Sequence, residues 1–138
     1  MSWLQDNATT LLLITGTLAF FIRGPMLARL AGVEQLGVHD VAKRLASPQP
    51  LLLLDVRSPA EYATGHAPRA LLVPLPELRS RLEELRQHPA AAAIAVICQS
   101  GNRSLNASVL LKRSGFPEVY NVIGGMNNWK VQGYPIIT

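Results

Sequence analysis

The stretch that decides the fold is IAVICQSGNRS, residues 94–104. Its first five residues, Ile94 to Cys98, are apolar, three of them are β-branched, and a polar turn containing Gly101 follows at once. A helical pattern begins near Asn102 and ends at Ser114-Gly115. A strand, a tight loop and a helix in this order place the loop at the carboxyl edge of a parallel sheet, facing the helix N-terminus. The stretch therefore predicts an α/β domain with Cys98 at that edge.

Cys98 is the only cysteine of the chain, and its surroundings predict a nucleophile. Backbone N–H groups of the turn and of the helix start favour negative charge, and Arg103 adds a full cation. Such surroundings lower the pKa of a thiol and hold it as a thiolate. A lone cysteine is more often a small buried hydrophobe, but the Gly, Ser, Asn and Arg in the next six positions favour the functional interpretation.

Composition bounds the remaining possibilities. The 138 residues suit one domain, and 49% apolar content against 16% charged content allows a buried core. The net charge is +4, but the cationic residues are spread along the chain and do not alternate with aromatic residues, so we expect no nucleic-acid partner. One cysteine excludes an internal disulfide and a CxxC site, and three distant histidines show no metal-ligand spacing. We expect neither a metal nor another cofactor.

The first segment differs from the rest in composition. Between Asp6 and Arg23 lie sixteen uncharged residues, NATTLLLITGTLAFFI. As a helix they span roughly 24 Å, against about 30 Å for a hydrocarbon core. If Arg23 extends its charge to the interface, the apolar stretch reaches Ala28, and Trp3 can occupy the opposite interface. The segment therefore predicts contact with a membrane through residues 7–28.

Two alternatives to a membrane anchor fit this segment less well. A helix packed on a soluble domain would have a charged face, which this one lacks, and MSWLQD lacks the Lys or Arg of a signal peptide. Because Arg23 and Arg29 follow the apolar run, the positive-inside rule puts the rest of the chain in the cytoplasm. We thus predict an anchor and linker over residues 1–31 and one domain over 32–138, with a soluble cytoplasmic protein as the alternative.

The remaining chain alternates strands with helices, which predicts a three-layer α/β domain on a mainly parallel sheet of about five strands flanked by helices. Gly24-Pro25 is expected to end the first helix, leaving a linker up to residue 36. Ser58 and Glu61 form the pattern of a capping box. The other predicted elements are helices over Val38–Leu45, from Pro59, from Pro76 through Leu85 and around Asn127–Lys130, and strands over Leu51–Asp55, Ala70–Val73 and Glu118–Val122.

Three motifs resemble those of single-domain rhodaneses, the thiosulfate sulfurtransferases. They are DVRSPAEYATGHAP at residues 55–68, CQSGNRS at 98–104 and VIGGMNNW at 122–129, and the similarity covers residues 36–138. The resemblance implies a rhodanese-like fold and a sulfurtransferase in which Cys98 alternates between thiolate and persulfide. The donor would be thiosulfate or another sulfane-sulfur compound, and the acceptor a thiol, cyanide or the cysteine of a partner protein.

The chemistry of the loop agrees with this resemblance. A Cys98 thiolate attacks the outer sulfur of the donor, sulfite leaves, and backbone N–H groups surround the anionic persulfide. Gly101 is expected at positive φ, Arg103 is expected to bind the donor oxyanion rather than form an ion pair, and Ser104 is expected to cap the helix. The predicted substrate-binding loop comprises Gln99, Ser100, Gly101, Asn102, Arg103 and Ser104.

The other motif residues are predicted to support the site. Arg57 is expected to pair with an acid beneath the loop, His66 to fix the turn that follows it, and Gly124-Gly125 to approach the Cys98 loop closely. Ala67 and Arg69 depart from the family pattern, which often has an aliphatic residue and a glycine there. The supporting residues are Asp55, Arg57, Glu61, His66, Gly124, Gly125 and Trp129, the last as a core residue.

Two other functions are weighed against sulfur transfer. Phosphatases and arsenate reductases of this fold place five residues between Cys and Arg and a His before the Cys. Here four residues separate Cys98 from Arg103, and Ile97 precedes the cysteine, so this chemistry is less favoured. A module that tethers a partner at the membrane, or a carrier that hands sulfur to one protein, would use the same domain. Turnover with small-molecule sulfur donors would indicate a sulfurtransferase, whereas fast transfer to one protein partner would indicate a carrier.

Overall fold

The structure, a computed structural model, describes residues 2–138 and confirms the α/β prediction. Five parallel strands form one sheet in the order β1-β5-β4-β2-β3, with helices on both faces. In chain order the elements are α1 (Ser2–Asp6), α2 (Ala8–Leu30), β1 (Glu34–Leu36), α3 (Val38–Leu45), β2 (Leu52–Asp55), α4 (Pro59–Ala63), β3 (Leu71–Leu72), α5 (Leu75–Leu78), a 3-10 turn (Arg79–Arg81), α6 (Leu82–Arg86), β4 (Ala93–Ile97), α7 (Asn102–Arg113), β5 (Glu118–Val122) and α8 (Gly125–Val131).

The apolar strands β2 and β4 lie next to each other in the sheet and are buried along their whole length. Both faces are covered, since one core contains Leu111 of α7 and the other contains Trp129 of α8. Continuous apolar runs are what a strand buried on both faces requires. Asp55 is in register with Ile97, so the acid at the end of β2 and the cysteine after β4 meet at one edge.

Local signals placed several elements correctly. Helix α3 covers Val38–Leu45 and strand β5 covers Glu118–Val122, as predicted. The capping box also forms, because the Glu61 N–H donates to Ser58 Oγ at 3.2 Å and the Ser58 N–H donates to Glu61 Oε1 at 3.1 Å. These are contacts between residues close in sequence, which local patterns describe well.

The predicted linker over residues 24–36 is wrong in two respects. Helix α2 continues through Gly24-Pro25 to Leu30, because its last turns pack on α7 and bury Ala28 completely. Strand β1 then pairs with β5, with Glu34 opposite Tyr120. This segment, EQL, is too short and too polar to show the sequence pattern of a strand, so it is a strand only because it pairs with β5 at the edge of the sheet.

The predicted helix from Pro76 is divided into α5, the 3-10 turn and α6. Leu78 and Leu85 are buried as the helical stripe predicted, and Leu82 is half-buried. The break changes which charged side chains are neighbours on the exposed side of this region. The ion pairs Glu77–Arg81 and Arg79–Glu83, at four-residue spacing, were expected. The ion pairs that form are Arg81–Glu84 and Arg86–Glu83, at three-residue spacing.

Helix α2 is long and apolar enough, by length and composition, to cross a membrane, and almost all of it is exposed. Its C-terminal part lies beside α7. A Cβ at Gly24 would lie 3.3 Å from Leu105, and one at Gly32 would lie 3.1 Å from the Lys112 side chain. The two helices therefore run in the same direction. Residues 8–20 extend beyond the end of α7 at which the Cys98 loop lies.

Candidate functional site

The Cys98 side chain lies at the end of β4 and is 1% exposed. The Gly101 N–H donates to Sγ at 3.0 Å, and the thiol donates to Ser104 Oγ at 3.3 Å. Gly101 has a φ of +105° and immediately precedes α7. This left-handed conformation, which is costly for residues with a Cβ, turns the loop back over the sulfur.

Opposing effects act on the pKa of the Cys98 thiol. Burial raises it, but the hydrogen bond between the sulfur and the Ser104 hydroxyl, together with hydrogen bonds to the backbone of Ser104, Gly101 and Ser100, outweighs burial and lowers the pKa below that of an ordinary thiol. Hydrogen bonds that favour the anionic form have this effect in general. The sulfur is therefore in an environment that stabilises negative charge, as a nucleophilic thiolate needs.

The loop before α8 lies directly against the Cys98 loop. Gly124 and Gly125 both have positive φ, and a Cβ on Gly125 would overlap the Cys98 carbonyl oxygen. The Met126 N–H donates to that carbonyl at 2.8 Å, and the Asn127 N–H donates to the Gln99 carbonyl at 3.0 Å. Beside the loop is a shallow cavity of about 400 Å³ that is largely open to solvent, lined by Ser100, Gly124, Asn127, Asn128 and Val131.

A buried ion pair supports the loop from below. Arg57 and Asp55 are both fully buried, with Arg57 Nη2 2.8 Å and Nε 3.0 Å from the carboxylate. Arg57 also donates to the Gly65 carbonyl at 2.9 Å and to Gln99 Oε1 at 3.3 Å. The guanidinium thus connects the strand end, the turn after α4 and the Cys98 loop.

Arg103 is held in an ion pair, contrary to the sequence argument against one. Its two terminal nitrogens donate to both carboxylate oxygens of Glu61 at 2.7 and 2.8 Å. These bonds, together with those from Ser58, outweigh partial burial and lower the pKa of Glu61 to about 2. Glu61 lies 42 residues away in sequence and is brought to Arg103 by the sheet. A cation is unfavourable at a helix N-terminus, and here the tertiary contact with the Glu61 carboxylate compensates for it.

Ser104 does not cap α7, which has no side-chain cap. Its hydroxyl donates to Asn121 Oδ1 at 2.6 Å, and Asn121 Nδ2 donates to Gln35 Oε1 at 2.9 Å. Asn121 is buried, pairs with Val96 in the sheet and contacts the sulfur only through Ser104; it was not identified from the sequence. The only sequence feature that could have indicated it is the asparagine among the buried positions of strand β5, EVYNV.

The remaining predicted residues lie farther from the sulfur. His66 Nδ1 is 2.9 Å from the Tyr62 carbonyl, and the His66 and Ile137 backbones exchange two hydrogen bonds of 2.9 Å. Trp129 is buried in the core and donates to the Pro135 carbonyl at 2.8 Å.

The two departures from the family pattern lie in the turn after His66. Ala67 is fully buried, while Arg69 has a φ of +69° and donates to the Leu45 carbonyl at 2.7 Å. Among residues 2–138 no cluster of three or more His, Cys, Asp and Glu side chains could hold a metal ion. Asn102, at the start of α7, faces α2 across a separate cavity.

Comparisons with known proteins agree with this geometry. Residues 37–132 match the model of the rhodanese-like domain. A sulfurtransferase of Allochromatium vinosum is 34% identical over 105 residues, which cover 76% of this chain and 95% of that protein. A putative sulfur carrier protein of Bacillus subtilis is 33% identical over 72% of this chain, which spans about half (52%) of that relative's length.

A solved structure extends the comparison to three dimensions. The rhodanese-related protein of Thermoplasma volcanium superposes with a TM-score of 0.66 at 31% identity, covering 75% of this chain and 97% of that one. Residues 37–132, which match the family model, include both strand ends and both loops that surround Cys98. The chain is therefore a member of the rhodanese-like family.

Proposed function

We propose that the protein is a rhodanese-type sulfurtransferase that accepts sulfane sulfur from thiosulfate or a related donor on Cys98 and passes it to a thiophilic acceptor. The observation that carries this proposal is the buried thiol beneath backbone N–H groups of its own loop, at 3.0 Å for Gly101. This arrangement stabilises a thiolate before the reaction and a persulfide anion after it.

The proposed first step is nucleophilic substitution at sulfur. The Cys98 thiolate attacks the outer sulfur of thiosulfate, a new S–S bond forms, and the old S–S bond breaks with its electron pair leaving on sulfite. The loop N–H groups then hold the negative charge on the terminal persulfide sulfur. No oxidant or reductant is consumed, because sulfur is only moved from one thiophilic anion to another.

The second step needs an acceptor from outside the chain. Cys98 is the only cysteine of these 138 residues, so they contain no second thiol that could resolve the persulfide. A small thiol, cyanide or a cysteine of a partner protein would attack the terminal sulfur and release the thiolate. A carrier that delivers sulfur to one protein is the second candidate, and the Bacillus subtilis relative, named a putative sulfur carrier, supports it.

We also propose that residues 1–31 anchor the domain, with the exposed part of α2, before the turns that pack on α7, inserted in the bilayer and the domain in the cytoplasm. The exposed apolar side chains of α2 would be unfavourable in water, and they include Leu12, Leu13, Ile14, Leu18, Phe20 and Phe21. Because α2 extends beyond the Cys98 end of α7, about 20 Å of apolar helix would lie on the side of the active-site edge. The catalytic edge would then face the membrane surface.

Intact mass measurement tests the chemistry. The purified protein in detergent should gain the mass of one sulfur atom after incubation with thiosulfate or an alkyl persulfide, and cyanide should remove it. Cys98→Ser should gain nothing. If the wild-type protein gains no sulfur from either donor, the sulfurtransferase proposal is wrong.

Fractionation tests the anchor. The full chain should remain with membranes after alkaline carbonate extraction, and protease should cleave the domain in inside-out vesicles but not in right-side-out ones. Release by carbonate would contradict a spanning helix, and protection in inside-out vesicles would contradict the cytoplasmic orientation.

A further inference from the structure

Two arginines reach the Cys98 loop, and each is paired with a carboxylate. Arg57 is paired with Asp55 beneath the loop, and Arg103 is paired with Glu61 at its side. The charge of each pair is zero, so the site as folded presents little net positive charge to a donor. Thiosulfate carries two negative charges, and an efficient thiosulfate site would be expected to present an unpaired cation.

The Arg103–Glu61 pair is held in place from both sides. Both terminal nitrogens of Arg103 are engaged, at 2.7 and 2.8 Å. Glu61 is in turn fixed by the capping box, through the Ser58 N–H at 3.1 Å. A donor oxyanion that needed Arg103 would have to displace a bidentate partner that is already positioned, whereas a donor without an oxyanion would not.

The cavity beside the loop fits the second kind of donor. Its side chains are a hydroxyl, two amides and the largely exposed Val131, and none of the lining residues is charged. Amides and an apolar surface bind the uncharged organic part of a thiol compound better than an inorganic dianion.

We propose that Glu61 is a specificity-determining residue that, by neutralising Arg103, directs the site toward alkyl persulfides of low charge and away from thiosulfate. This rests on the proposed sulfurtransferase function and specifies its donor. The organic group of the persulfide would occupy the cavity lined by Ser100, Asn127 and Val131.

Sulfur transfer from such a donor is a substitution at the outer sulfur. The Cys98 thiolate attacks the outer sulfur of R–S–SH and forms a new S–S bond to it, while the S–S bond of the donor breaks with its electron pair on the leaving thiolate R–S⁻. The proton of the transferred sulfur passes to the leaving thiolate, directly or through water. The products are the Cys98 persulfide anion and the thiol R–SH, without any oxidant or reductant.

The test compares Glu61→Gln with Ser58→Ala in the full chain in detergent. Glutamine retains an oxygen that accepts from the Ser58 N–H but removes the charge that neutralises Arg103. Ser58→Ala removes the hydroxyl from the same capping box and leaves the charge of Glu61 unchanged. The donors are thiosulfate and N-acetylcysteamine persulfide, with cyanide as the acceptor.

The expected readout is the ratio of kcat/KM for thiosulfate to kcat/KM for the persulfide. It should be below one in the wild type, rise roughly tenfold in Glu61→Gln mainly through a lower KM for thiosulfate, and stay unchanged in Ser58→Ala. Arg103→Gln is a second variant, which tests the inference even if Glu61→Gln does not fold. It leaves the Glu61 carboxylate unpaired, so the ratio of kcat/KM for thiosulfate to kcat/KM for the persulfide should fall below that of the wild type.

Three results would overturn the inference while leaving the proposed function intact. They are a wild-type preference for thiosulfate, an unchanged ratio in both charge variants, and an equal rise in Ser58→Ala. If neither donor places sulfur on Cys98 in any variant, the proposed function fails instead.

Discussion

Removing the positive half of the buried Arg57–Asp55 pair should destabilise the protein more than removing both charges. Arg57→Met fills a similar volume but removes the guanidinium donors at 2.8 to 3.1 Å, which leaves the fully buried Asp55 carboxylate with the backbone N–H of residue 57, at 3.1 Å, and no opposite charge. It also removes the bonds to the Gly65 carbonyl and Gln99. A buried charge that loses its partner costs about 3–5 kcal/mol, which is a large part of the roughly 5–15 kcal/mol of a typical domain.

The double variant separates the pair from its surroundings. Asp55→Asn alone leaves Arg57 buried and unpaired and should cost a similar ~3–5 kcal/mol. Asp55→Asn with Arg57→Met buries no unpaired charge, so its cost should be about 1–2 kcal/mol, from the lost bonds to Gly65 and Gln99.

Urea unfolding of the full chain in detergent, followed by tryptophan fluorescence, measures these costs. The m-value should stay constant between variants, so that midpoints report stability. The reasoning is refuted if Arg57→Met costs less than about 1 kcal/mol, or if the double variant costs the sum of the two singles.

Three further predictions follow from the same contacts. Gly125→Ala should cost several kcal/mol more than Gly133→Ala, since both have positive φ but only a Cβ at 125 would overlap backbone; equal costs in urea unfolding would contradict this. Iodoacetamide should alkylate Cys98 with a pH midpoint below that of an ordinary thiol, and Ser104→Ala should raise this midpoint; an unchanged midpoint would show that the hydroxyl does not stabilise the thiolate. The ion pair with Arg103 lowers the pKa of Glu61 to about 2, so the stability that this pair contributes should be complete above the ordinary carboxyl pKa of 4.5 and lost as the pH falls toward 2. The difference in urea unfolding midpoint between the wild type and Glu61→Gln should therefore shrink across that range, and a constant difference would contradict the pairing.

Local patterns identified most of the sheet and helices. The apolar run Leu51–Asp55 indicated a strand buried on both faces, and the Ser58–Glu61 pattern indicated a capping box, because these signals depend on residues within a few positions of one another. Strand β1 was missed since its pairing partner, β5, lies more than eighty residues away. The continuation of α2 was missed because it depends on packing against α7.

The sequence by itself determined that a lone cysteine ends a buried strand and precedes a helix, which places Cys98 at the carboxyl edge of an α/β sheet. Only the tertiary structure decided what surrounds that sulfur. Arg103 meets Glu61 across 42 residues, and Ser104 turns toward Asn121 across 17 residues instead of capping its helix. The physical reason is that a side chain with several possible partners is assigned to one by the geometry of neighbouring strands, and no local periodicity contains that geometry.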